Sequence, residues 1–233
     1  MMMFTLKKFK CYSFLALSLL IGLNACKKQE AVDSTLSNFR VINMAPTLGT
    51  YNVYLNGSAL TTAALPYVGS TAYSTQNAGS YALKFTSGNS AESLLTKTVT
   101  LSASVYQSFY LINKPGALDV LAITDDLGVP STDKAYVRLI NLSPDASAFD
   151  LAKTNATTSL TTNKTFKTTS GFIAIDPGTF TLDLKETAGG TVKAVSESTT
   201  FTAGYHYDVI AGGLITPAND TERPLSLRVL QIK

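Results

Sequence analysis

Tryptophan is absent from the 233-residue chain, histidine occurs once and cysteine twice. Each shortage removes a class of chemistry. Without tryptophan, a dedicated carbohydrate-binding module would lack its strongest stacking ring. A Ser-His-acid triad would have to be built on His206 alone, and no Gly-x-Ser-x-Gly elbow accompanies it. Cys11 sits inside an N-terminal apolar run and Cys26 just behind it. The chain beyond Cys26 therefore has no disulfide staple, no Cys-rich zinc site and no Cys nucleophile. Its domains must hold by core burial and be large enough to do so. Neither a phosphate-binding loop nor a Gly-x-Gly-x-x-Gly sequence is present. No long stretch carries a helical period.

Charge of one sign is also scarce. The formal balance is +3, from 19 basic and 16 acidic residues. Lys7, Lys8 and Lys10 lie in the leader, and without them the count is 19 − 3 = 16 basic against 16 acidic. A neutral chain without a basic stripe argues against nucleic acid as a partner and against a polybasic membrane patch.

What the front of the chain does have is an address. Three lysines precede the apolar run "CYSFLALSLLIGL", Cys11 to Leu23. That run is shorter than the roughly 20 residues of a spanning helix and suits the core of a signal peptide. It ends in Leu23-Asn24-Ala25-Cys26, followed by polar "KKQE". The ending resembles the lipobox of bacterial lipoproteins. The resemblance implies cleavage after Ala25 and acylation of Cys26, with several acyl chains giving firm anchorage where one alone is marginal. Residues 1–25 are then signal peptide and residues 26–37 a lipidated, polar tether. Lys27 is not Asp, so the familiar inner-membrane retention signal is missing. The expected location is the bacterial cell envelope, lipid-anchored at the outer membrane, on either face.

Beyond the tether the chain repeats itself. "RVINMAP" begins at Arg40 and "RLINLSP" at Arg138, 138 − 40 = 98 residues later. Tyr51 and Val53 align with Phe149 and Leu151; with one residue of slippage, Tyr67, Tyr73 and Tyr81 align with Phe166, Phe172 and Phe180. A period of this length suits a whole domain rather than a solenoid repeat. The Gly/Pro/Ser/Asp cluster "LGVPSTDK" marks the seam. The expected organisation is a first domain over 38–128, a linker over 129–133 and a second domain over 134–233.

Each unit reads as all-β. In "GTFTLDLKE", Phe180, Leu182 and Leu184 alternate with Thr181, Asp183 and Lys185, which puts the apolar set on one face. Asp176-Pro177-Gly178 before it is turn chemistry, and "AGSYALKF" repeats the pattern in the first unit. Further strands are predicted near 38–43, 50–56, 69–76, 94–101, 105–113 and 117–124, and near 135–141, 147–153, 164–168, 170–175, 191–201, 204–212 and 224–232. Seven or so short strands per hundred residues predict two tandem immunoglobulin-like β-sandwich domains following a lipoprotein signal peptide.

"VRLINLSPDASAFDL", "DPGTFTLDL" and "FTAGYHYDVIAGG" together resemble the domain-of-unknown-function 4397 family. "RVINMAPTLGTYNVYLNG" is a weaker copy, with Thr47 where the second unit has Asp145. The resemblance implies tandem exported β-sandwich modules and no catalytic residue.

Candidate sites are few. His206 and Asp208 fall on one face of a strand and read as a surface or inter-domain polar pair rather than a catalytic or metal pair. Asp125-Asp126 and "NDTER", Asn219 to Arg223, read as turn acids without the regular ligand spacing of a calcium loop. Most tyrosines of the first unit match Phe in the second and read as core. Tyr54 faces Ala152 in the repeat, so Tyr54 and Asp145 are the candidate partner-binding residues. No cofactor, metal or catalytic residue is expected. The reading is a non-catalytic envelope lipoprotein, a binding, adhesion or spacer module whose partner is a protein or glycan. One alternative is a fimbrial subunit assembling by strand addition, with "TLSNFRVIN" as the exchangeable strand. A carboxylate-based glycan hydrolase is the other.

Overall fold

Val53 and Leu55 point inward from one strand and Leu83 and Phe85 from its neighbour, with Asn52, Tyr54 and Lys84 on the opposite face. This period of two, repeated strand after strand, builds the fold. The computed structural model describes residues 35–232, and among them every regular element is a β-strand.

The first half holds β1 (Leu36–Asn43), β2 (Tyr51–Leu55), β3 (Ser58–Ala59), β4 (Ser74–Asn77), β5 (Gly79–Ser87), β6 (Ser93–Leu101), β7 (Tyr106–Ile112) and β8 (Asp119–Asp125). The second holds β9 (Ala135–Asn141), β10 (Phe149–Lys153), β11 (Ser159–Lys164), β12 (Ile173–Ile175), β13 (Gly178–Phe180), β14 (Leu182–Glu186), β15 (Val192–Val195), β16 (Thr199–Phe201), β17 (His206–Gly212) and β18 (Ser226–Gln231). The sheets run β4-β1-β7-β8 and β3-β2-β5-β6 in the first half. They run β12-β9-β17-β18 and β11-β10-β14-β15, with a β13-β16 ribbon, in the second. In both halves the opening strand lies parallel to a late one, β1 to β7 and β9 to β17. Each half is a sandwich with its own core. Val41, Phe109, Tyr51, Val53, Leu83 and Phe85 meet in the first; Leu139, Val209, Phe149, Leu151, Leu182 and Leu184 meet in the second.

The repeated "RVIN/RLIN" is therefore the inner strand of each sandwich. Its Asn closes the turn that follows: Asn43 Oδ1 accepts from the Ala45 N–H at 3.0 Å and Asn141 Oδ1 from the Ser143 N–H at 3.1 Å. β1 begins at Leu36, so Leu36 and Ser37 of the expected tether are strand.

Several strands differ from expectation. The segment 164–168 is a turn, because Lys167 has φ of 64° and the Thr168 N–H bonds the Thr165 carbonyl; the strand lies earlier, at β11. The predicted strand 191–201 is broken where Ser196 turns to hydrogen-bond Leu182. The strand over 178–186 is interrupted at Thr181, whose hydroxyl bonds Thr154. Residues 69–73 touch β1 only at isolated points, such as Thr71 N–H to the Val41 carbonyl.

The two sandwiches are not beads on a string. A third apolar cluster joins Ile42, Met44, Tyr110 and Ile112 of the first half to Ile140, Leu142 and Ile210 of the second. Sheets β4-β1-β7-β8 and β12-β9-β17-β18 thus bury their outer faces against each other. β9 and β17 are buried at every residue.

Candidate functional site at the sandwich junction

Arg40 on β1 and Arg138 on β9 are the repeated residues that open the two signature stretches. Both project from the outer face of their strand, and the junction brings them together. They are 5 % and 2 % exposed; their partners Asp125 and Asp208 are 4 % and 0 % exposed. Asp208 Oδ2 accepts from Arg40 Nη2 at 2.5 Å, and its Oδ1 accepts from Arg138 Nε at 2.6 Å. Arg138 Nη2 also donates to Asp125 Oδ1. Two guanidinium groups face two carboxylates, so the cluster is neutral.

Hydroxyls complete the network. Tyr110 donates to Asp208 Oδ2 at 2.6 Å. Ser108 accepts from Arg40 Nε at 2.8 Å and donates to Asp125 Oδ2 at 2.7 Å. Tyr73 donates to the same Asp125 oxygen at 2.6 Å. Rings floor both arginines: Arg40 stacks 5.2 Å from the Tyr73 centroid and Arg138 4.6 Å from that of Phe172. Burial works against each arginine's charge, but the facing phenol and carboxylates outweigh it and hold both well protonated. Burial first, and then Asp208, push the Tyr110 phenol far above its ordinary range, so it stays a donor. A buried ion pair is costly unless its remaining lone pairs and protons are satisfied, and here hydroxyls satisfy them.

His206 and Asp208 do share a face of β17, and that face lies in the junction. His206 is fully buried. Its ring stacks on Tyr136 at 4.8 Å and meets Phe172 edge-on at 4.7 Å. Nε2 lies 3.0 Å from the Gly128 carbonyl, which can only accept, so the proton sits on Nε2. The imidazole is packing for the seam, not a group in a cleft.

The other sequence candidates lie apart. Tyr54 is half-buried on β2, with the Lys84 ammonium 4.4 Å from its ring centroid. Asp145 is exposed and caps a loop: its carboxylate accepts from the Ile215 and Thr216 N–H groups at 2.9 and 3.0 Å. Its burial opposes the charge, but those backbone N–H groups hold it below the usual carboxylate range. Asp126 Oδ1 caps Gly128, and Glu222 pairs with Lys114 at 2.8 Å. Among the described residues no group of three or more His, Cys, Asp or Glu side chains could hold a metal. Cys26 and Ala25 lie outside the described residues.

The Arg–Asp cluster was not picked out in the sequence. The available signal was that Arg40 shares its strand face with Ile42, and Arg138 with Ile140. An apolar β-branched residue on the supposedly solvated face, in both copies, marks a covered face.

No curated protein matches the chain. Among solved structures it is similar to the Bacillus anthracis TIE protein, at 10% identity, TM-score 0.25, over 77% of this chain and 34% of that one. It therefore spans about a third of that protein's length. It is also similar to CBMbc (family CBM26) from Eubacterium rectale Amy13K, a structure in complex with maltoheptaose, at 11% identity, TM-score 0.23, over 83% of this chain and 95% of that one. A family match covers the first sandwich and runs on through most of β10, taking in "VRLINLSPDASAFDL" but not "DPGTFTLDL": residues 37–152 match the family described as Domain of unknown function (DUF4397).

Proposed function

We propose that the protein is a non-catalytic lipoprotein of the bacterial cell envelope, built of tandem DUF4397 units and held at the outer membrane by acyl chains on Cys26. Its two sandwiches serve as a rigid binding or spacing body on a short tether. The observation that carries this reading is the buried Arg40–Asp208–Arg138–Asp125 cluster. It fixes one sandwich against the other, which a spacer or a two-part binding surface needs and a flexible linker would defeat. The same cluster weighs against the alternatives. β1 is a central strand of its sheet and carries Arg40, so exchanging it in a polymer would strip the junction. Asp125 and Asp208 are enclosed by arginines, which leaves them no access to a sugar.

The test is growth with an alkyne analogue of palmitate, comparing the natural chain with Cys26→Ala, followed by surface labelling of intact cells. Label incorporated only by the Cys26 chain, with that chain in the outer membrane, supports the reading. Equal incorporation by both chains, or none by either, overturns the anchor.

A further inference from the structure

Where the edge of the junction meets solvent, the two sandwiches enclose a hollow of about 410 Å³. Tyr67 and Val68 line it from the first, and Arg223, Pro224, Ser226 and Arg228 from the second. Two of its polar atoms, the Nε of Arg223 and the Nε of Arg228, are buried without a hydrogen-bond partner, while the Tyr67 and Ser226 hydroxyls meet each other beside them. A buried donor left unmade is costly, and two in one place require an explanation.

The chain invests in holding these groups there. The Arg223 N–H bonds the Pro46 carbonyl at 2.9 Å, and its carbonyl accepts from Leu214 N–H at 2.9 Å. Its backbone is therefore pinned to the turn of the first sandwich and to the loop of the second. The Arg223 guanidinium lies 6.0 Å from the Tyr67 centroid, and among the described residues no carboxylate pairs with it. Arg228 has only Glu197, at 3.2 Å, a carboxylate that is 88% exposed and thus a weak, screened partner. Glu222, the nearest acid in sequence, is committed to Lys114 and the Ala218 N–H. The hollow carries a net positive charge. Burial pushes the Tyr67 phenol up, with the Ser226 hydroxyl first and then both arginines opposing, so it remains a hydroxyl at neutral pH. The Tyr67 hydroxyl packs against Gly212, where an added Cβ would lie 2.8 Å from it.

We propose that this hollow binds an oxyanion, a carboxylate or phosphate group borne on a molecule of about sugar size, between the guanidinium groups of Arg223 and Arg228 and the hydroxyls of Tyr67 and Ser226. Planar guanidinium donors match such anions, and the volume is that of a small-ligand site. The site draws on both sandwiches, so it exists only while the junction holds. It does not depend on how the chain is anchored.

The experiment is calorimetric titration of the purified full chain with inorganic phosphate and, separately, with glucuronate at low ionic strength. One saturable site is expected, with a dissociation constant of about 1 mM for the better probe. Glucuronate binding alone marks a sugar acid, and phosphate binding alone a phosphoryl group. Arg223→Gln weakens binding at least tenfold, and Tyr67→Phe, which keeps the ring and removes only the hydroxyl, weakens it about threefold. Lys193→Gln, outside the lining of the hollow, leaves binding unchanged. Heat that stays unsaturated with both probes at about 10 mM, or equal affinity in Arg223→Gln, overturns the site.

Discussion

At the scale of the residue, Asp208 is the most consequential side chain. It is the acceptor common to Arg40, Arg138 and Tyr110. Asp208→Asn leaves two buried guanidinium groups facing one remaining carboxylate. The expected loss is about 3–5 kcal/mol of stability, read as a lower urea midpoint. Tyr110→Phe removes one donor from an otherwise intact pair and costs about 1 kcal/mol. A similar loss from both variants would mean that the ionic network is not what binds the seam. A smaller electrostatic link crosses at Asp119, which pairs with Lys97 of the first sandwich and Lys167 of the second. Its slight burial works to raise the carboxyl, but the two lysines outweigh it and lower it to about 2. The folded value lies below the unfolded one, so the contribution is fully present above the unfolded range, near pH 4, and is lost as pH falls through about 2. The side chains are partly exposed, so the effect is about 1 kcal/mol at most. Asp119→Asn should be less stable than the natural chain at pH 6, with the gap closing only once pH falls below about 2, in paired urea titrations. A gap that persists at the lower pH would contradict the assignment.

At the scale of the element, most strands were legible because their inward residues alternate with polar ones. β2, β5 and β14 are the clearest, with Val53, Leu83 and Leu184 facing in. The misplaced segments are Thr-rich: in "SLTTNKTFKTT" strand and turn share one composition, and the left-handed Lys167 marks the turn. The junction was harder to read. β9 and β17 are buried on both faces, so their alternation of Arg138 with Leu139, and of Asp208 with Val209, mimics a half-exposed strand. Asp145 read as a candidate partner-binding residue, since nothing local announces that the Ile215 and Thr216 N–H groups, 70 and 71 residues on, bond its carboxylate. The loop that they open depends on Gly213, at φ of 98°, where a Cβ would lie 2.1 Å from the Pro224 carbonyl oxygen. Gly189 has a similar φ of 89° but open space around it. Gly189→Ala should cost only the conformational penalty of about 1–2 kcal/mol. Gly213→Ala should cost distinctly more and also displace Arg223. Thermal melts of the two variants make the comparison, and equal losses would show that the loop gives way freely.

At the scale of the whole molecule, the repeated strands are where the two halves assemble. Both halves have the strand that opens "RVIN" or "RLIN", and its Arg sits where the halves meet. Their partners differ: Ser108 pairs with Arg40 where Asp208 pairs with Arg138, and the first half supplies its acid from the end of β8 as Asp125. One body with three apolar clusters follows, and the proposed role as a rigid envelope module rests on it. The most direct test is hydrogen exchange followed by mass spectrometry of the full chain across a urea series, comparing peptides from β5 in the first sandwich with β14 in the second. Loss of protection in both at one midpoint, moving down together in Asp208→Asn, is the predicted result. Two separate midpoints in the natural chain, with the Asp208→Asn change confined to the second sandwich, would contradict it.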